Sequence, residues 1–554
     1  MHSASQHPLT AEQQAIIHHP LGQHARVLAV AGSGKTTTMV YRVKHLVEDL
    51  GQDPARIRVV MFNRLARVEF ERKLSQAVFE KHLRPKVLTF HALALSMRSA
   101  AEEAGLLPQY TQSWVGDREE LAVICVHRAI EGLLREGLIM DDVDPAEALD
   151  AIGLWKASLI PPEHAGHRTN PDLPLVYRRF EELREQKRAL TFDDFIPKAM
   201  DLLDGEPKFR RRFVNRIDHL IVDEYQDVNY GQEQLIRLLA GTRADVMVVG
   251  DDDQTIYEWR GARPYYILEG FKQDFANKPV VDYVLSHSFR FGPLIAQTAH
   301  NVITFNKKRA EKPLVAHDAL KASDITIIED DSEQATSIAV RMAEEIETLV
   351  RKHSVAPADI AVLGRTFVQM AGLQATFIER KIPFRVLGQA PFFERDENRT
   401  LIDYVRLASA WDKPANTLRP WRAVTAKDDE ESAQERGAMH YQRIALGKGP
   451  CAEAVRIVLA VANTPSRKLA RSVLQKAVQD GHAEGMMLGA SLETLLDAHT
   501  SRLPEERRES LQELVDFVRR IAERCSAEPT WKAGEALQWL IDSLDYCRHF
   551  SNYY

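Results

Sequence analysis

The eight residues Ala29-Val30-Ala31-Gly32-Ser33-Gly34-Lys35-Thr36 constrain this chain more than any other stretch. They lie between a β-rich run at 26–30 and a helical pattern that ends near Gly51. A strand, a glycine-bearing turn and a helix N-terminus, in that order, aim backbone N–H groups at one point and make an anion cradle. The glycines let the backbone approach phosphate oxygens, so Ala31, Gly32, Ser33, Gly34, Lys35, Thr36 and Thr37 form the candidate nucleotide loop. Lys35 fits the β/γ-phosphates, and the Thr36 hydroxyl fits Mg²⁺. Ala29 stands where the general pattern has its first glycine. A turn that merely joins strand to helix is the competing reading, and Gly-Lys-Thr in this context favours the nucleotide site.

A chain of 554 residues is too long for one core and suggests about three or four domains. An apolar fraction of 45% is that of ordinary globular protein. The net charge of -7 does not advertise a nucleic-acid surface, although a basic channel can sit inside an acidic protein. Cys125, Cys451, Cys525 and Cys547 have no C-x-x-C spacing, which argues against a zinc site, an iron–sulfur cluster or a redox pair. Residues 1–8 lack the charged-then-apolar order of a secretion signal, and no apolar run reaches the length of a membrane span. The expectation is a cytoplasmic protein with no membrane partner.

β-rich runs at 26–30, 57–62, 86–90, 219–222, 246–249 and 280–285 alternate with helical patterns. Such alternation predicts a parallel sheet with helices on both faces. Between the third and fourth runs, a helix-rich stretch over 92–190 is broken by a loop from Pro161-Pro162 to Pro174. A second α/β block is expected from strands at 325–328, 360–363 and 384–387 and a helix over 332–351, with no nucleotide loop of its own. From about 395 the pattern is helical again, interrupted by a charged segment at 411–437 that reads as loop. No repeat of solenoid period is present.

The fourth run ends in Asp223-Glu224, at the carboxyl end of a strand, where an open parallel sheet binds its ligands. Asp223 suits Mg²⁺, and Glu224 suits orienting and deprotonating an attacking water. Two carboxylates after a strand are by themselves a solvated turn; beside a phosphate loop the catalytic reading is stronger. The fifth run leads into Gly250-Asp251-Asp252-Asp253-Gln254-Thr255-Ile256-Tyr257-Glu258-Trp259-Arg260-Gly261. A neutral amide such as Gln254 can donate to a γ-phosphate or accept from water as the nucleotide changes. Tyr257 and Trp259 offer flat faces nearby, with core aromatics as the plain alternative.

Taken in order, these segments resemble the UvrD/Rep/PcrA helicases of superfamily one. Leu9-Thr10-Ala11-Glu12-Gln13 is similar to their Q motif, and the resemblance has Gln13 reading adenine. Ala31 to Thr36 is similar to their Walker A loop, including the alanine at 29. Phe62-Asn63-Arg64 with Glu69 resembles motif Ia, Thr89-Phe90-His91 motif Ib, Asp223-Glu224-Tyr225-Gln226-Asp227 motif II and 250–262 motif III. Ser288-Phe289-Arg290 resembles motif IV, which implies Phe289 on the adenine in place of a tyrosine and Arg290 at the γ-phosphate. The likeness continues through Ile382-Pro383-Phe384, Gly388, Phe392-Phe393-Glu394-Arg395 and Asn463-Thr464-Pro465-Ser466-Arg467.

The resemblance implies an α/β protein of two RecA-like domains, the second incomplete, each with a mainly helical insertion. The expected divisions are 1–91 and 191–284 for the first domain, 92–190 for its insertion, 285–394 for the second domain and 395–554 for its insertion. ATP with Mg²⁺ would bind between the domains, catalysis resting on Lys35, Glu224, Gln254 and Arg290. Single-stranded DNA would cross Phe62, Asn63, Arg64, Thr89, His91, Tyr257, Trp259 and Arg260, with translocation 3′ to 5′. Base-face stacking would let those aromatics hold any sequence.

Two departures stand out. Arg467-Lys468-Leu469-Ala470 follows Asn463-Thr464-Pro465 without the family's glycine-bearing turn, which puts duplex contact in question. Motif V and motif VI, with its arginine finger, are not recognisable, and Arg507-Arg508 and Arg519-Arg520 read as solvated helix faces. The sequence thus leaves two readings: a helicase completed by a further segment or partner, or a nucleotide-gated single-strand-binding module. A small-molecule kinase fits poorly with motifs Ia, III and IV.

Overall fold

The computed structural model describes residues 8–107, 118–139, 143–328, 338–387, 396–418, 451–462, 467, 469, 471–497, 504–527 and 533–544. Gly388, 392–395, 419–437, 463–466 and Cys547 of the sequence reading lie outside them, as do Lys468 and Ala470. The described chain separates into two units, 1–326 and 327–554.

In the first unit the six predicted runs all form strands: β1 (His24–Ala29), β2 (Ile57–Met61), β3 (Lys86–Thr89), β4 (His219–Val222), β5 (Asp245–Gly250) and β6 (Val280–Leu285). They make one sheet in the order β3-β2-β4-β5-β1-β6. Every neighbouring pair is parallel, with Ala25 beside Met247 and Val281, and Ile221 beside Val59 and Met247. Side chains alternate between faces along a strand. Leu28, Val60, Leu220, Val222, Val246 and Val248 therefore join one core, beneath helices Phe90–Glu103, Phe195–Gly205 and Tyr230–Ala240. Val27, Val59, Ile221, Met247 and Val249 join the other, beneath helices Lys35–Lys44 and Arg64–Ala77. The inner strands β2, β4, β5 and β1 are buried on both faces and need no strict polar alternation, which is why their runs are largely apolar. Because all six run the same way, the segments after β1, β2, β3, β4, β5 and β6 emerge along a single edge.

Helices Arg118–Arg135, Pro145–Ala157 and Leu173–Gln186 form a satellite around Val126, Ile130, Ile152, Trp155, Val176 and Phe180. Pro174, read from sequence as loop, lies in the first turn of the last of these, where its missing N–H costs no helical bond. Past β6, β7 (His287–Ser288) pairs in parallel with β8 (Val315–Ala316), bridged by helix Pro293–Ile303.

In the second unit, helices Ile338–Lys352 and Phe367–Glu379 pack around Ala343, Ile346, Leu373 and Phe377. The strands expected at 325–328, 360–363 and 384–387 do not form. A strand exists only through pairing, and these runs hydrogen-bond to no neighbouring strand among the described residues. Helices Asp396–Ser409, Ala452–Ala462, Arg471–Ala483, Glu505–Ala527 and Ala533–Ser543 enclose a core that includes Tyr404, Ile457, Val458, Val515 and Leu540. Trp411, predicted as the start of a loop, belongs to that core and lies against Gly489. Its polar sequence neighbours hid a packed residue.

Candidate nucleotide and strand site

The loop after β1 turns through two left-handed glycines, Gly32 (φ 75°) and Gly34 (φ 80°), before helix Lys35–Lys44. Both also need their missing side chains: a Cβ on Gly32 would meet Arg290 Cγ at 2.7 Å, and one on Gly34 would meet Gln13 Nε2 at 2.6 Å. Ala31, Gly32, Ser33, Gly34, Lys35, Thr36 and Thr37 line a cleft of about 260 Å³, joined by Glu69, Lys73, Glu224, Gln254 and Arg290. Thus the loop, the carboxylate after β4, the amide after β5 and the guanidinium after β6 meet at one cleft. Lys73, which pairs with Glu69 at 2.8 Å, was not anticipated; it lies one helical turn beyond Glu69.

Lys35 Nζ donates to Glu224 Oε2 at 3.2 Å, and Gln226 Nε2 donates to the same oxygen at 2.9 Å. Glu224 itself adopts a left-handed backbone (φ 48°, ψ 47°), uncommon for a residue other than glycine. Gln226 Oε1 accepts from Asp251 N–H at 3.0 Å, so this amide joins the turn after β4 to the turn after β5. Behind Glu224, Asp223 is buried, and its Oδ1 has no hydrogen-bond partner. Burial pushes the Asp223 carboxyl up to about 7, with the Glu224 charge adding to it and Lys35 opposing it. An orphaned, buried carboxylate oxygen beside a phosphate loop fits a divalent cation, whose charge would hold it ionised.

Gln13 is not among the residues that line this cleft. Its Oε1 accepts from Thr10 N–H at 3.0 Å in a capping box, and its Nε2 donates to the Ser33 carbonyl at 3.2 Å. In this structure it braces the loop from below. Phe289 also stands outside the lining residues, against His317 with ring centroids 4.3 Å apart, while its N–H donates to the Gly32 carbonyl at 2.9 Å. Glu12, given no role by the sequence, accepts from Ser286 N–H at 2.9 Å and Oγ–H at 2.6 Å. Burial works against that carboxylate's charge, but the Ser286 bonds outweigh it and hold Glu12 below its ordinary range.

The candidate strand contacts fall into patches along the same sheet edge. Phe62 and Tyr257 pack with ring centroids 5.0 Å apart. Trp259 is 62% exposed, with the Arg260 guanidinium 4.7 Å from its ring centroid. That exposure sets aside the core-aromatic alternative for Trp259. His91 stacks on Phe192 at 3.7 Å, and Phe192, an exposed aromatic from the far side of the satellite, was missed because nothing in sequence places it near motif Ib. Asn63 and Thr89 are engaged as helix N-caps, accepting from Ala66 N–H and Ala92 N–H, while Arg64 is exposed.

Comparison with known proteins meets the same segments. Residues 9–276 match the family model of the UvrD/REP helicase N-terminal domain, and residues 283–419 match that of the UvrD-like helicase C-terminal domain. The chain belongs to the UvrD/Rep helicase family. Among UvrD/Rep relatives, it is 32% identical to "ATP-dependent DNA helicase Rep" of Escherichia coli K12, over 71% of this chain and 57% of that protein. It is 31% identical to "ATP-dependent DNA helicase PcrA" of Leuconostoc citreum, over 69% of this chain and 50% of that protein. A Rep of Buchnera aphidicola from Acyrthosiphon pisum is 24% identical over 95% of this chain and 73% of its own. The chain thus spans between half and three-fifths of the length of the first two UvrD/Rep relatives. Among the described residues no helix is long and apolar enough to cross a membrane.

Proposed function

We propose that this chain carries the ATP-driven motor of a UvrD-type single-stranded DNA translocase or 3′-to-5′ helicase. One observation carries the reading: a single sheet edge bears both the Lys35–Glu224–Gln254–Arg290 cleft and an aromatic surface made of the exposed Trp259 ring and the half-buried Phe62–Tyr257 pair. Gln254 and Tyr257 are three residues apart on one segment, so a change at the phosphates can reach the strand through a short lever.

ATP phosphates would sit on the N–H groups of the loop, with Lys35 at the β/γ-phosphates. Lys35 now pairs with Glu224; phosphate entry would draw the ammonium away and free that carboxylate to orient a water and take its proton. Thr36 and Asp223 would hold Mg²⁺, which supplies charge neutralisation on the phosphate oxygens when bound. Arg290 and Gln254 would face the γ-phosphate, where a donor in place beforehand lowers the barrier most. The strand would stack on Phe62, Tyr257 and Trp259, and His91 with Phe192 would extend that path. The direction of travel, a single-strand/duplex junction as substrate and a polypeptide supplying motifs V and VI as partner rest on family likeness alone.

The test is ATP hydrolysis by the purified chain with and without an unstructured oligonucleotide. Stimulation by the strand, lost in Lys35→Ala, supports the motor. Nucleotide-dependent strand binding with no stimulated turnover favours the second reading, a gated binding module.

A further inference from the structure

Three consecutive carboxylates, Asp251, Asp252 and Asp253, follow β5 with ligand atoms all within 4.8 Å of one another. That spacing suits a divalent cation, but the position is filled by Lys312. Its Nζ lies 3.0 Å from Asp251 Oδ1, 2.5 Å from Asp252 Oδ1 and 2.7 Å from Asp253 Oδ2, and the side chain is buried. Burial works against the ammonium's charge; the three aspartates outweigh it and hold its pKa above the ordinary lysine range. Arg309 closes the cluster with Nε 2.9 Å from Asp253 Oδ1 and Nη2 2.7 Å from Oδ2. Ala310 N–H donates to Asp252 Oδ2 at 2.8 Å, and Gln254 Nε2 donates to Asp251 Oδ2. Every carboxylate oxygen of the three therefore has a partner.

The placement of those partners matters. Arg309, Ala310 and Lys312 lead into β8, and β8 pairs with β7, which runs straight into Phe289 and Arg290. Phe289 N–H is fixed to the Gly32 carbonyl, and Lys321 Nζ donates to the Arg290 carbonyl at 2.6 Å. The cluster thus joins the segment that aims Gln254 to the segment that aims Arg290, and both side chains line one cleft. We propose that Lys312 is a positioning residue, an internal cation that keeps Gln254 in register with Arg290 so that the pair distinguishes a nucleoside triphosphate from a diphosphate. The inference rests on the reading of the cleft as an ATP site.

A lysine that served only to hold the fold would alter stability without altering nucleotide preference. The experiment therefore measures binding of ADP and of a non-hydrolysable ATP analogue to the full chain by titration calorimetry. Lys312→Met is expected to reduce the preference for the analogue by about tenfold, in the range of ordinary coupling effects, with ADP affinity unchanged. Lys312→Arg should restore most of it. Gln254→Ala should cause the same loss, and the double variant no more than either, since both act through one contact. An unchanged preference in folded Lys312→Met, or losses that multiply in the double variant, overturns the proposal. Should Lys312→Met not fold by thermal melt, Arg309→Gln keeps the ammonium in place and should lose part of the preference; no loss there overturns it equally. A parent chain that binds neither nucleotide brings down the ATP-site reading itself, an outcome distinct from binding without the expected selectivity.

Discussion

At the scale of single residues, Lys35 and Glu224 touch each other, and the proposed function assigns them to different reacting atoms. Lys35→Ala removes a fixed charge from the phosphates and should weaken ATP binding strongly. Glu224→Gln removes only the proton acceptor and should leave nucleotide affinity near that of the parent while hydrolysis falls by about 10²-fold or more. Fluorescent-nucleotide titration separates the two, and an equal loss of affinity in both would contradict these roles. Trp259→Ala and Phe62→Ala should each cost about 1–3 kcal/mol of single-strand affinity with little dependence on base sequence. Unchanged affinity in a folded Trp259→Ala chain would remove that exposed ring from the strand path. Residues of this kind were legible in sequence because loop chemistry fixes them locally: Gly32, Gly34 and Lys35 follow from what a phosphate needs. Phe192, Arg309 and Lys312 were not, since each works through a contact made across a long sequence separation, to His91 in one case and to the three aspartates in the others. Gln13 marks a subtler limit, because its identity could be read but its engagement with Thr10 and Ser33 could not.

At the scale of elements, helix Tyr230–Ala240 shows how burial sets a pH dependence. Glu233 on this helix is buried, accepts from the Tyr225 hydroxyl through Oε2, and leaves Oε1 without a partner. Burial pushes its carboxyl up to about 7, the Tyr225 bond opposing. A carboxyl whose folded pKa is raised keeps its proton while the unfolded chain has already lost it. Stability should therefore fall as pH rises from the ordinary Glu range to about 7, by up to about 3 kcal/mol from this group, and level off above. Glu233→Gln should flatten that part of the profile in thermal melts taken between pH 5 and pH 8; parallel profiles for parent and variant would show that the group does not titrate there. The sheet was readable in advance because its inner strands β1, β2, β4 and β5 are largely apolar runs buried on both faces. Runs 325–328, 360–363 and 384–387 have the same composition and form no strand, since composition supplies only the willingness to pair. Partner strands decide the rest, and a run cannot name its partner.

At the scale of the whole molecule, the residues proposed for the nucleotide site, Lys35, Asp223, Glu224, Gln254 and Arg290, all lie within the first unit, 1–326. ATP and strand binding should accordingly be properties of the 554-residue polypeptide as it stands. Rapid turnover asks for more, because charge that develops at the γ-phosphate needs donors already in place, and an arginine finger contributes about 10³ to 10⁵ in rate in phosphoryl-transfer enzymes. Arg290 is positioned at the cleft, but no motif VI arginine can be recognised in this sequence. Motif V, which would supply strand contacts for an alternating grip, is likewise unrecognisable. The expectation is a polypeptide that binds ATP and single-stranded DNA, hydrolyses slowly, and does not unwind duplex alone. Supplying a polypeptide that carries motifs V and VI should raise strand-stimulated hydrolysis and bring unwinding with it. The measurement is a strand-displacement assay on a 3′-tailed duplex, with Lys35→Ala as the control for a contaminating helicase. Robust unwinding by the 554-residue polypeptide, absent in Lys35→Ala, would show that other residues of this chain stand in for the finger.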